Sequence, residues 1–130
     1  MTAVKNTRYS VAVRDYLRHS GHATNAQILQ HLRQSYPDLS ATTVHRITTR
    51  LLERGTIACA PLSKDHAIRF DTNLEPHDHF QCTRCDRIQD VVLPKELFDS
   101  IQQTMGGCKL SGRLTVQGAC KKCVMHTEEI

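Results

Sequence analysis

The sequence contains no tryptophan, and aromatic residues fill only 5% of its 130 positions. Any core must therefore be aliphatic. No apolar run approaches the roughly 20 residues that a membrane helix needs, so no membrane partner is expected. The opening residues MTAVKNTRYS lack the apolar stretch of a secretory signal. That points to a reducing cytoplasm, where six cysteines serve metal binding better than disulfides. No repeats or low-complexity tracts occur. No Ser/His/Asp nucleophile constellation is visible either, and a zinc enzyme would need an open coordination position and a general base. Catalysis is not expected.

Two cysteine pairs dominate what is present. Cys82-Thr-Arg-Cys85 and Cys120-Lys-Lys-Cys123 are two C-x-x-C knuckles. Four thiolates so arranged match the tetrahedral preference of structural zinc, with Zn–S near 2.3 Å. A redox motif needs only one pair and leaves the other unexplained. Cys59 and Cys108 read as small, buried, apolar side chains.

Charge is uneven. Residues 1–70 carry 10 Lys+Arg against 4 Asp+Glu, whereas residues 71–130 carry 7 against 9. A basic first half suggests a polyanion partner. Its pattern predicts a helix over 8–19, with Val11, Val13, Tyr16 and Leu17 as apolar positions, closed at Gly21. Thr24 or Asn25 caps a second helix with the stripe Ala26, Ile28, Leu29 and Leu32. Ser40 caps a third, 41–54, with Val44, Ile47, Thr48, Leu51 and Leu52 inward. The opposite face carries Thr42, Thr43, His45, Arg46, Thr49 and Arg50 and no acid, a surface suited to phosphates and base edges. Two short strands, Thr56–Ala60 and Ala67–Asp71, follow around a tip bearing Lys64. Three helices and a hairpin make a winged helix-turn-helix.

A polar, proline-terminated stretch then reads as a hinge at 73–76, dividing a DNA-binding domain (1–72) from a second domain (77–130). His77 and His79 alternate in an extended segment and project to one side, as half of a metal site. A strand Ile88–Leu93, a helix 95–105 with Leu97, Phe98, Ile101 and Met105 inward, and a strand Leu110–Gln117 complete a small α/β unit. One helix covers these strands poorly, so a partner chain is expected. The fold class is α+β: an N-terminal winged helix-turn-helix, then a small α/β dimerisation domain stapled by zinc.

The order winged helix, hinge, H-D-H-F, C-x-x-C, strand–helix–strand, C-x-x-C resembles the ferric uptake regulator family. The segments YPDLSATTVHRI and PHDHFQCTRC carry the likeness. The resemblance implies a homodimeric, metal-dependent transcription factor on double-stranded DNA, usually a repressor. It is greatest to the peroxide-responsive branch, which implies a regulatory Fe(II) or Mn(II) held by His22, Asp71, His77, His79 and Asp90. Iron or zinc sufficiency is the alternative signal. A further metal site common in the family falls here on Pro76, Leu97 and Gly112, which offer no side-chain ligand, and on Asp78, which is left free. Three positions depart from the family pattern: the recognition-helix tyrosine is His45, an arginine of the first helix is Ser10, and the glycine after the first cysteine pair is Asp86. The implied mechanism is a clamp in which metal binding orders the two domains for DNA, and peroxide oxidises His22 or His77 to release it.

Overall fold

Helical periodicity in the first 53 residues produces three helices, α1 (Thr2–Ser20), α2 (Asn25–Leu32) and α3 (Ala41–Glu53). The structure is a computed structural model and describes residues 2–110 and 113–128. By contacts the chain divides into two units, 1–74 and 75–130.

In the first unit, Val13 and Leu17 of α1, Ile28 and Leu32 of α2, and Val44, Ile47 and Leu51 of α3 meet in one apolar cluster. Each set is spaced at three, four or seven residues, so each helix offers one stripe. Three expected apolar positions of this unit face outward: Val11 is half exposed, and Ala26 and Cys59 are exposed, as is Cys108 of the second unit. Thr24 rather than Asn25 is the cap of α2. Its hydroxyl accepts from Gln27 N–H while the Gln27 side chain accepts from Thr24 N–H, a reciprocal capping box. Ser40 caps α3 through Thr43 N–H. α3 closes on Gly55 at φ 71°, with Thr56 N–H donating to Leu51 O and Gly55 N–H to Leu52 O. This left-handed closure suits glycine.

The wing is a three-stranded sheet rather than a hairpin alone. Strands β2 (Ala58–Ala60) and β3 (Arg69–Asp71) are joined by β1 (His22–Thr24), in the order β1-β3-β2. β1 is not foreseen from sequence, and it moves His22 from a loop onto a strand. Phe70 of β3 packs into the helical core.

In the second unit, β4 (Asp78–Cys82) is the centre of a sheet ordered β5-β4-β6. β5 (Ile88–Val91) runs antiparallel to it and β6 (Thr115–Gly118) parallel. β6 is shorter than the strand expected over 110–117; residues 111–112 lie outside the described residues, so the expectation for Gly112 is untested. α4 (Lys95–Thr104) forms as expected, but Leu97 and Met105 do not face inward: they are 40% and 53% exposed. A further helix, α5 (Lys121–Glu128), begins at the second cysteine pair and is unforeseen. Among the described residues, the only buried apolar side chains of this unit are Cys82 and Cys120.

Candidate metal centres and nucleic-acid face

Both cysteine knuckles are shaped by backbone turns. The first closes the β4–β5 hairpin, where Cys82 N–H donates to Arg87 O and Asp86 N–H to Cys82 O. Asp86 takes φ 66°, the left-handed conformation that a glycine adopts freely and aspartate tolerates. Its carboxylate accepts from Gln81 Nε2 at 3.2 Å, so the aspartate replaces the family glycine with a tethered turn. The second knuckle straddles the start of α5, with Cys120 just before it and Cys123 in its first turn.

All four sulfurs lie within 4.8 Å of one another. Cys82 Sγ is 3.7 Å from Cys123 Sγ, and Cys85 Sγ is 3.8 Å from Cys120 Sγ. A disulfide requires about 2.05 Å, and no cysteine is in one. A tetrahedron with bonds of about 2.3 Å has edges of about 3.8 Å. The cluster therefore fits a structural zinc. Electrostatics agree. The N–H of Cys85, then those of Cys120 and Arg84, lower the Cys82 thiol from 9.0 to about 5. Cys120 is lowered too, chiefly by the N–H of Cys123. Cys123, against the Cys120 sulfur and half-buried, is pushed up to about 12. Backbone N–H groups thus favour the thiolate at Cys82 and Cys120, and a cation at the centre would favour it at Cys123 as well.

The remaining candidates fall into two groups, each built on a cross-strand pair. In the first unit, β1 and β3 place His22 opposite Asp71, and directly opposed residues share a face. His22 Nε2 is 3.3 Å from Asp71 Oδ2, and Asp71 is 4% exposed. The other carboxylate oxygen accepts from Asn73 N–H at 2.9 Å, which fixes the group. In the second unit, β4 and β5 place His79 opposite Asp90. His77 stands two residues upstream on the same side, its ring 4.5 Å from that of His79. The Nε2 atoms of both histidines lie 3.5 Å from Asp90 Oδ1. His77 Nδ1 is 2.6 Å from Glu75 O, a carbonyl that can only accept. Its neutral ring therefore keeps a lone pair on Nε2, the atom turned to Asp90. Donors about 3.0–3.5 Å apart can share one ion at bonds of about 2.1 Å. These nitrogen and oxygen donors, with no sulfur among them, suit Fe(II), Mn(II) or zinc.

Asp78 is not free. It is 6% exposed, and its Oδ1 accepts from Leu114 N–H at 3.1 Å, joining β4 to the segment before β6. In β4 it points away from His77 and His79. Sequence alternation signals that opposite face, but not the distant N–H it serves.

On α3, Thr42, His45, Arg46 and Arg50 are exposed, with Thr43 and Thr49 partly so. Thr43 is engaged at the cap, its hydroxyl 2.9 Å from that of Ser40. Lys64 sits in the turn at the tip of the wing. Sequence reading offers Asn25 only as an alternative cap of α2. With capping done by Thr24, the Asn25 side chain instead reaches His45 and Thr48 of α3.

The comparisons with known proteins agree with this architecture. The family described as "Ferric uptake regulator family" matches residues 2–111. A peroxide-responsive repressor of Staphylococcus epidermidis is 28% identical over 123 residues, covering 92% of this chain and 81% of the relative. The ferric uptake regulator of Helicobacter pylori superposes with a TM-score of 0.74 at 23% identity, over 90% of this chain and 80% of that one. The peroxide stress regulator of Campylobacter jejuni does so at 0.70 and 22%, over 92% of each.

Proposed function

We propose that this chain, which belongs to the ferric uptake regulator family, is a DNA-binding repressor that senses peroxide through a regulatory Fe(II) or Mn(II). Membership makes it a metal-responsive regulator and not an enzyme. The finer reading rests above all on the two cross-strand His–Asp pairs, His22 with Asp71 and His79 with Asp90. With His77 they supply three imidazoles and two carboxylates. One ion takes ligands from both groups, so its affinity depends on the two domains adopting the DNA-binding arrangement. The 28% identity to a relative named as peroxide-responsive supports the same branch.

Among the positions of the additional family site, Pro76 and Leu97 offer no side-chain ligand and Asp78 is committed to Leu114 N–H. One structural zinc, on Cys82, Cys85, Cys120 and Cys123, and one regulatory ion per chain follow. The thiolate cluster suits a reducing cytoplasm. Among the described residues no helix is long and apolar enough to cross a membrane.

The repressor works as a homodimer on double-stranded DNA. Leu97, Met105 and Val116 stand exposed on the second unit, and Phe80, Val91, Leu93 and Val116 line an open groove of about 460 Å³. A second copy covers that face. The dimer presents two α3 helices to successive major grooves, about 34–36 Å apart. Thr42, Thr43, His45, Arg46, Thr49 and Arg50 meet phosphates and base edges.

Fe(II) at the regulatory site supplies the redox chemistry by which peroxide adds one oxygen to a ligand imidazole. By the family resemblance His22 or His77 would receive it, and its loss as a donor would release DNA. Mass spectrometry of the Fe(II) form after peroxide tests this. One added oxygen on His22 or His77 is expected; an unmodified chain refutes peroxide sensing and leaves an iron- or zinc-uptake regulator. Metal-dependent DNA binding that survives His22→Ala and Asp90→Ala refutes the regulatory site itself.

A further inference from the structure

The second turn of α3 carries a hydrogen-bonded triad. Asn25 is the first residue of α2, and Thr24 does the capping, so the Asn25 amide is available to α3. The Thr48 hydroxyl is 2.9 Å from Asn25 Oδ1. The carbonyls of His45 and Val44 are farther from it, at 3.1 and 3.2 Å. Thr48 is 1% exposed, which leaves its proton to these protein acceptors rather than water. With Oδ1 turned to Thr48, the Asn25 nitrogen faces His45 Nδ1 at 3.4 Å. An amide nitrogen only donates. His45 Nδ1 is then the acceptor, and the neutral ring carries its proton on Nε2. The ring itself is exposed on the face shared with Thr42, Arg46 and Thr49.

We propose that Asn25 and Thr48 hold His45 as an Nε2–H donor, which makes His45 a specificity-determining residue that reads guanine in the major groove. This deepens the DNA-binding reading of α3 and rests on it. A solvated histidine moves its proton to whichever nitrogen the facing base requires. A ring fixed as a donor has no such choice. Guanine offers it two adjacent acceptors, N7 and O6, and adenine and thymine one each, N7 and O4, whereas cytosine offers only the N4 amino donor and repels it. Discrimination therefore comes as much from rejecting cytosine as from bonding guanine. Asn25 is a positioning residue: it acts through the imidazole and touches no base.

The test uses the full chain, loaded with diamagnetic zinc alone for NMR and with zinc and Mn(II) for DNA binding. Long-range proton–nitrogen NMR of the His45 ring is expected to place the proton on Nε2 in wild type and on a mixture of nitrogens in Asn25→Ala. Duplexes selected from a randomised pool identify the base pair whose preference collapses in His45→Ala. At that pair, changing guanine to cytosine weakens wild type by roughly five- to tenfold, the loss of one good hydrogen bond. Asn25→Ala flattens the preference. Asn25→Asp keeps the oxygen for Thr48 and so protects the fold. At about pH 8.5 its carboxylate takes Nδ1–H, leaves Nε2 as an acceptor, and turns the preference toward bases with an amino donor. A wild-type ring protonated on Nδ1, or a base profile unchanged in both Asn25 variants, overturns the proposal. A chain that binds no duplex overturns the DNA-binding reading as well. A chain that binds DNA but is indifferent to the base opposite His45 overturns this inference alone.

Discussion

Removing the zinc should unfold the second unit and leave the first intact. The reason is the unequal burial in the two. The first unit packs eleven buried apolar residues into one cluster. Among the described residues of the second, only Cys82 and Cys120 are buried and apolar, and both belong to the cysteine cluster. A unit spanning 75–130 is of a size whose core rarely supplies more than about 3–5 kcal/mol. Structural zinc contributes about 10–16 kcal/mol in small zinc modules near pH 7. Without that term the second unit keeps at most the core contribution, and among the described residues it has no buried apolar side chain outside the cysteine cluster to supply one. The cleanest perturbation is Cys85→Ser, because Cys85 is exposed and its exchange opens no cavity. Cys82→Ser would confound metal loss with burial. Proton–nitrogen correlation spectra of Cys85→Ser and of the chelated wild type, both kept reduced, should lose the dispersed amide signals of β4, β5 and β6. Signals of α1, α2 and α3 should persist. If metal analysis shows the zinc gone while the β4–β6 amides stay dispersed and protected from exchange, the second unit has another source of stability and the reasoning fails.

Asp78→Ala leaves the Leu114 N–H without its acceptor and should destabilise zinc-loaded protein by about 1–3 kcal/mol, with Mn(II) affinity unchanged. Thermal unfolding and metal titration separate the two: lost affinity at an unchanged midpoint would make Asp78 a ligand instead. At Asp86, φ 66° predicts that Asp86→Gly stays within about 1 kcal/mol of wild type and that Asp86→Val loses about 1–2 kcal/mol, read by denaturant titration. Thr24→Ala removes the cap of α2 and should cost about 0.5–2 kcal/mol by the same measure. Leu97→Asp with Val116→Asp puts charge on the exposed apolar face, and sedimentation should then show the 14.7 kDa chain rather than a dimer.

The helices of the first unit were legible because their signals are local. Val44, Ile47, Thr48 and Leu51 repeat at helical spacing, Ser40 and Gly55 punctuate the ends, and the structure places each accordingly. The cysteine cluster was legible because two residues of spacing fix a knuckle whatever surrounds it. The second unit was less so. Leu97 and Met105 follow the same helical spacing, but periodicity identifies an apolar face without saying which chain covers it. α5 was hidden because its first residues read equally well as a metal knuckle. The role of Asp78 was hidden because its partner lies 36 residues away.

β1 is the instructive failure. Three residues are too few for alternation to register, and the strand exists only because β3 lies beside it. Yet this strand decides what His22 can do. In a loop, an imidazole samples many directions and must be ordered when a metal binds, at a cost in entropy. On β1 it stands opposite Asp71, whose carboxylate is already held by Asn73 N–H. His79 and Asp90 repeat the arrangement on β4 and β5. The proposed ligand pattern is thus written into two sheet registers. A one-residue slip of either strand would turn its histidine to the opposite face. An insertion of one residue between His22 and Ala23 should therefore abolish regulatory metal binding while Cys82, Cys85, Cys120 and Cys123 keep their zinc. Parallel Mn(II) and zinc titrations of that variant decide it: retained Mn(II) binding would mean that His22 needs no strand to act.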